Sequence, residues 1–257
     1  MPFALITGGS KGIGKAIAES LAMRGYDLLL VARSAELLEQ VSSEITSNTK
    51  RNCRWFATDL ALDKSAEEVY DWCLENQFDI SVLVNNAGYG LSGSFEKYTA
   101  TEHAEMLHLN IITLTKLTRL FLPELLKKPA GYILNIGSSA SYQAVPMLSA
   151  YAASKAYVLN FSRGLYQELK GTHVSVTCVC PGPTDTNFVT RAQVGIKGQK
   201  AAERFNMSPK TVAHIAVESL FRRKSEVITG AANKLSAFFA WLLPKNMVEG
   251  IAKKLYD

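Results

Sequence analysis

Short apolar runs alternate along this chain with longer stretches whose apolar residues recur every three or four positions. Phe3-Ala4-Leu5-Ile6-Thr7, Leu28–Ala32, Cys53–Ala57, Tyr132–Gly137, Val174–Cys180 and Glu226–Thr229 read as strands. Ile80-Ser81-Val82-Leu83-Val84 is nearly continuous in apolar character, which marks a strand buried on both faces. Helical periodicity predicts helices from Lys15 to Arg24, Ala35 to Asn48, near Asp63 to Asn76, and Tyr151 to about Gly171. Gly25 stops the first of them. Thr99-x-x-Glu102 has capping-box spacing and opens a further helix to about Lys127, and Ser208-Pro209 opens another to Lys224. Strands alternating with helices, with no repeat and no linker, predict one α/β domain over 1–257. Its doubly wound, seven-stranded parallel sheet would carry helices on both faces and bind a ligand at the strands' C-terminal ends.

Polar and small residues cluster at those ends. After the first strand comes Gly8-Gly9-Ser10-Lys11-Gly12-Ile13-Gly14, a glycine-rich turn entering a helix, where backbone amides can approach a pyrophosphate at the positive helix end. After the second stands Arg33, where an NAD site would carry an acid for the ribose 2′-hydroxyl. Asp27 lies at the wrong end of that strand, roughly 20 Å away at ~3.3 Å per residue. Arg33 and Lys11 both suit a 2′-phosphate, so the nucleotide expected is NADP(H). Asp59-Leu60 follows the third strand; Asp59 either accepts from an adenine amino group or caps the next helix. Asn85-Asn86-Ala87-Gly88 ends the fourth, its carboxamides and small residues letting a ribose approach.

Tyr151 and Lys155 are four apart, which on a helix stacks them on one face. An ammonium beside a phenol favours the phenolate and tunes a tyrosine, whose ordinary pKa is about 10, toward proton transfer near neutral pH. Ser138, at the end of the fifth strand, could hydrogen-bond the same substrate oxygen. Alone, the Tyr151/Lys155 spacing reads as that of an ordinary helix-surface pair; its company at the strand ends overturns that in favour of the catalytic reading. Asn110 interrupts an apolar helix face and either bonds its neighbours or holds a water linking Lys155 to solvent. Pro181-Gly182-Pro183 breaks the sixth strand, and the hydroxyls of Thr184 and Thr186 suit a carboxamide and a phosphate. Residues 187–208 have weak periodicity and are expected to form a substrate lid.

Composition narrows the field. The 257 residues are 47% hydrophobic and 20% charged, enough for a large core and unlike a disordered chain. A net charge of +5, scattered along the chain, suits an anionic cofactor and contains no basic block of nucleic-acid type. The four cysteines form no metal or disulfide pattern, and Cys178 and Cys180 share a strand face as reduced thiols. The four histidines lack ligand-spaced partners, so no metal is expected. With the first strand entered at Phe3 and no apolar run of ~18 residues, the expected compartment is the cytoplasm.

Taken together, Thr7-Gly8-x3-Gly12-x-Gly14, Asn85–Gly88, Asn110, Ser138, Tyr151-x3-Lys155 and Pro181-Gly182 resemble the short-chain dehydrogenase/reductases over residues 3 to about 230. The resemblance implies a Rossmann fold and an NADP-dependent oxidoreductase acting on a small-molecule carbonyl or alcohol. Ser138 would orient the carbonyl, Tyr151 protonate it, Lys155 hold the nicotinamide ribose, and Asn110 support a proton relay. It also implies a homodimer or homotetramer through the helices carrying Asn110 and Tyr151. A non-catalytic NADP-binding sensor on the same scaffold stays open.

The end of the chain is apolar and helical, with a break at Pro244: Leu235, Phe238, Phe239, Trp241, Leu242 and Leu243 before it, then Met247, Val248, Ile251, Ala252, Leu255 and Tyr256. It is similar to the tail of a bacterial subgroup likened to long-chain 3-oxoacyl and hydroxysteroid reductases. Residues 233–257 would cover the pocket or an interface, or lie on a membrane surface with help from Lys234, Lys245, Lys253 and Lys254. In the last case the protein would be a tail-driven peripheral membrane protein.

Overall fold

β1 (Phe3–Thr7) lies inside a seven-stranded, all-parallel sheet in the computed structural model, which describes residues 1–184, 192 and 206–256. The order is β3-β2-β1-β4-β5-β6-β7. On one side of β1 stand β2 (Asp27–Ala32) and β3 (Cys53–Ala57). On the other stand β4 (Ile80–Asn85), β5 (Gly131–Ile136), β6 (Val174–Cys180) and β7 (Glu226–Ile228). Ile6 registers with both Leu30 of β2 and Val84 of β4. The chain therefore reverses its winding direction between β1 and β4, and that junction opens a crevice at the strands' C-terminal edge.

Side chains on a strand alternate between faces, and the two cores follow that alternation. Ala4, Ile6, Leu28, Leu30, Val82 and Val84 pack under α1 (Gly12–Met23), α2 (Ala35–Thr49) and α7 (Pro209–Phe221). Leu5, Leu29, Val31, Leu83 and Ile133 pack under α3 (Ser65–Glu75), α5 (Leu114–Leu126) and α6 (Ser149–Glu168). Strands covered on both sides need apolar residues at consecutive positions, which is why Ala4–Ile6, Leu28–Ala32 and Val82–Val84 read as unbroken runs; in β6, buried Ser175 and Thr177 alternate with Val174, Val176 and Cys178.

The helix expected from Thr99 to Lys127 is not continuous. Thr99 and Glu102 form their capping box (Glu102 N–H to Thr99 Oγ1, 3.2 Å; Thr99 N–H to Glu102 Oε2, 2.8 Å) and start α4 (Ala100–Leu107). The turn then widens to a π-helical segment at His108–Thr113 before α5 resumes. Buried Asn110 sits in the widened turn. Beyond β7 the tail forms α8 (Ala231–Leu242) and α9 (Lys245–Tyr256), parted at Pro244. Among the described residues, no helix is long and apolar enough to cross a membrane. All four cysteines are buried free thiols, and the Cys178 and Cys180 sulfurs share a face 3.8 Å apart.

Candidate active site

The glycine-rich turn is laced to the end of β4. Thr7 Oγ1 accepts from the amides of Asn86 (3.0 Å) and Ala87 (3.1 Å), and the Asn86 side chain donates to the carbonyls of Thr7 (2.9 Å) and Gly8 (3.2 Å). Gly8 has φ +66°, and a Cβ there would lie 2.7 Å from Asn86 Nδ2. At Gly14 a Cβ would overlap the Gly8 carbonyl. The start of α1 is thus pressed onto the turn, leaving a concave stretch of bare backbone at a helix N-terminus, the kind of cradle that admits a diphosphate. Lys11 precedes α1 with an extended backbone and an exposed side chain; Ser10 and Ile13 are half-buried, Ile13 against the core.

Arg33 and Asp59 come together at the neighbouring strand ends, with Arg33 Nη1 3.7 Å from Asp59 Oδ2. Asp59 Oδ1 also accepts from the amide of Ala61 (3.0 Å), a local turn; it does not cap the next helix, which starts at Ser65 after Lys64 with no side-chain cap. Leu60 is buried, and its carbonyl accepts from Thr113 Oγ1 at 2.6 Å, tying this loop to the π-helical segment.

The centre of the site is Lys155. Its Nζ donates to the Ile136 carbonyl at 2.8 Å and lies 6.0 Å from the centroid of the Tyr151 ring, one helical turn earlier. Burial pulls its pKa from 10.5 down to about 8. Gly88 is the close neighbour: a Cβ there would stand 2.8 Å from Asn110 Oδ1 and 3.4 Å from Lys155 Nζ. Only a glycine lets the 86–89 loop pass so near both groups. The Asn110 carboxamide accepts from the Tyr89 amide (3.1 Å) and donates to the Tyr89 carbonyl (2.9 Å) and to Ser154 Oγ (3.0 Å). Its side chain thus bonds its neighbours, one of the two roles expected of it.

Ser138 leaves β5 and caps a 3₁₀ turn at Ser139–Tyr142, its Oγ accepting from the Ala140 amide at 3.1 Å. Ser141 Oγ accepts from the Ser138 amide (3.3 Å) and donates to the Lys155 carbonyl (2.8 Å), so one hydroxyl joins the Ser138 turn to the helix of Tyr151. The Ser139 amide reaches the Pro181 carbonyl at 2.7 Å. Below, Cys178 and Cys180 crowd Gly137, where a Cβ would be 2.9 Å from the Cys180 sulfur. A hydrogen bond shared with Cys180 and burial hold the Cys178 thiol well above its ordinary pKa, so it stays protonated. Thr184 Oγ1 donates to the Gly182 carbonyl at 3.1 Å; Thr186 and most of 187–208 lie outside the described residues.

Sequence reading missed Ser141 and Ser154, which position the site without any motif to announce them. It also missed a contact: His108 Nε2 lies 3.6 Å from Asp63 Oδ1. Among the described residues, no group of three or more His, Cys, Asp or Glu side chains could hold a metal ion.

Sheet order, turn and buried lysine together have known counterparts. Residues 2–196 match the short chain dehydrogenase family, and the chain belongs to it. A very-long-chain 3-oxoacyl-CoA reductase of Anas platyrhynchos is 39% identical over 188 residues, covering 70% of this chain and 58% of that protein. This chain therefore spans about three-fifths of the length of such relatives. The ketoacyl reductase HetN of Nostoc is 31% identical over 230 residues, 87% of this chain and 77% of the relative. Among solved structures, a short-chain dehydrogenase from Sphingobium yanoikuyae in complex with NADPH superposes with a TM-score of 0.83 at 30% identity, covering 94% of each chain.

Proposed function

We propose that this chain is an NADP(H)-dependent oxidoreductase that interconverts a carbonyl and a secondary alcohol on an apolar substrate. The observation that carries the reading is the buried Lys155 ammonium, one helical turn from Tyr151 and close against the bare Gly88 of the 86–89 loop. A structural lysine has no need of burial against a glycine at a strand-end crevice, and perturbed groups in clefts are candidates for chemistry. At pH 7 the lysine is below its pKa of about 8 and holds its proton.

The residues fit the nucleotide. Gly8, Ser10, Lys11, Gly12, Ile13 and Gly14 would hold its diphosphate, with Arg33 and Lys11 on a 2′-phosphate. Asp59 and Leu60 would border the adenine. Asn86, Ala87, Gly88 and Lys155 would border the nicotinamide ribose, and Pro181, Gly182 and Thr184 the carboxamide. NADPH, when bound, supplies the hydride to the carbonyl carbon. Tyr151 gives its proton to the carbonyl oxygen, Ser138 fixes that oxygen by a hydrogen bond, and Lys155 stabilises the phenolate left behind.

The relatives' names, a very-long-chain 3-oxoacyl-CoA reductase and a ketoacyl reductase, favour 3-oxoacyl thioesters as substrates. A homodimer or homotetramer through α4 to α6 belongs to the same reading; exposed Ile112, Leu126 and Tyr157 support it. The test is NADPH oxidation with 3-oxoacyl thioesters of rising chain length and with ketosteroids. Tyr151→Phe should lower turnover by about 10²–10⁴ while keeping NADPH bound. Full turnover in that variant would overturn Tyr151 as the acid. No turnover by the parent, with NADPH bound, would favour the sensor.

A further inference from the structure

The last two helices are amphipathic in the inverted sense. α8 turns Asn233, Ala237 and Ala240 toward the domain, whereas Leu235, Phe238, Phe239 and Leu242 are exposed and Trp241 is 75% exposed. α9 does the same, with Ala252 buried and Met247 and Ile251 exposed at 52% and 62%. Residues three and four apart share a helix face, so Lys234, Phe238 and Trp241 make one outward stripe, and Met247, Ile251 and Lys254 another. Helices that merely completed the core or closed over a pocket would turn their bulky residues inward. An outward apolar patch of this kind marks an interaction site.

The charges indicate what covers it. Lysines 234, 245, 253 and 254 lie in 231–256, where the only acid is half-buried Glu249. Two copies meeting through this face would set lysine against lysine. An anionic lipid surface takes both features at once: rings and aliphatic chains enter the acyl boundary, and lysines snorkel to the phosphates. Each helix has twelve residues, about 18 Å at 1.5 Å per residue, which suits lying in the interface and not crossing it.

We infer that α8 and α9 form a two-helix foot that docks this protein on an anionic bilayer, with the substrate entrance beside the lipid. The foot adjoins the site. A Cβ on Gly182 would overlap the Asn233 side chain, and α8 packs against the 3₁₀ turn that Ser138 caps. An apolar substrate would then reach Ser138 from the membrane without crossing water. Only this delivery step rests on the carbonyl-reductase reading; docking itself needs neither cofactor nor substrate.

The experiment floats the full chain with phosphatidylcholine vesicles that contain or lack phosphatidylglycerol. The expected result is co-flotation with the anionic vesicles, at least about tenfold weaker on neutral ones and weakening with salt. Phe238→Ser/Trp241→Ser should abolish flotation with thermal stability and turnover of a water-soluble carbonyl unchanged, since both side chains are exposed. Lys234→Gln/Lys254→Gln should weaken binding about 30-fold. A parent protein that stays behind, or serine variants that float equally well, would overturn the inference. So would a parent that does not float while the serine variants convert a dimer to a monomer, which would assign the face to a second copy. A protein that floats but reduces no carbonyl would keep the docking and remove the reductase reading.

Discussion

Lys155 is a charge held where charge is costly. The Ile136 carbonyl is its hydrogen-bond acceptor, and the surrounding protein takes the place of water. Its folded pKa of about 8 against an ordinary 10.5 corresponds to roughly 3 kcal/mol of destabilisation at neutral pH. The sign follows from proton counting. Between pH 8 and 10.5 the unfolded chain binds a proton that the folded chain does not, so stability rises with pH across that window. Below about pH 8 both forms are protonated and the full penalty remains. Lys155→Met should therefore stabilise the cofactor-free protein at pH 7 by about 1–3 kcal/mol, after about 1 kcal/mol is lost at the Ile136 carbonyl. The advantage should vanish by pH 10.5, and activity should be lost throughout, a stability–activity conflict of the kind active sites carry. Urea denaturation at both pH values checks this; destabilisation at pH 7 would mean that the buried ammonium is stabilising where it sits.

At the scale of elements, the widened turn at His108–Thr113 holds the loop after β4 against α6 through one side chain. Asn110→Leu would remove the bonds to the Tyr89 amide and carbonyl and to Ser154, whose hydroxyl keeps its bond to the Tyr151 carbonyl. The expected cost is about 2–3 kcal/mol, or a fall of about 4–12 °C in melting temperature. A change within about 0.5 kcal/mol, the range of ordinary surface substitutions, would refute the anchoring role. This turn also shows where sequence reading stops. The central strands β1, β2 and β4 were legible because burial on both faces leaves nearly unbroken apolar runs, and the α4 start because Thr99 and Glu102 sit three apart. The π-helical break was not, since apolar residues continue through Met106, Leu107, Leu109, Ile111 and Ile112. Asn110 within it bonds Tyr89 in the loop after β4, a partner distant in the sequence. Ser141 and Ser154 were hidden for the same reason: a common residue becomes informative only when the fold shows what its hydroxyl meets. Tyr151 and Lys155 stood out because their relation is local to one helix.

Across the whole molecule, parallel pairing sends every strand's C-terminal end to one edge of the sheet, and the candidate groups collect there from distant parts of the chain. The Gly8 turn follows β1, Arg33 follows β2, Asp59 lies just beyond β3, Asn86 follows β4, and Ser138 and Pro181 lie past β5 and β6. That arrangement makes nucleotide choice a matter of which side chain stands at the end of β2. The acid that might have served, Asp27, begins that strand instead and accepts from the Asn52 amide at 2.9 Å, which holds it at the opposite edge. Arg33 is 59% exposed, and its ion pair with Asp59 is solvent-washed and worth little, so the guanidinium can turn to a phosphate at small cost. A charge-assisted contact to a 2′-phosphate is worth about 1.5–3 kcal/mol. Arg33→Asp should therefore lower kcat/KM for NADPH about 10–100-fold, and the new carboxylate should improve NADH by offering its ribose an acceptor. Steady-state kinetics with both nucleotides on one carbonyl decides it. If the ratio of the two kcat/KM values does not move, Arg33 does not read the phosphate, and Lys11 in the glycine-rich turn is the cation to change next.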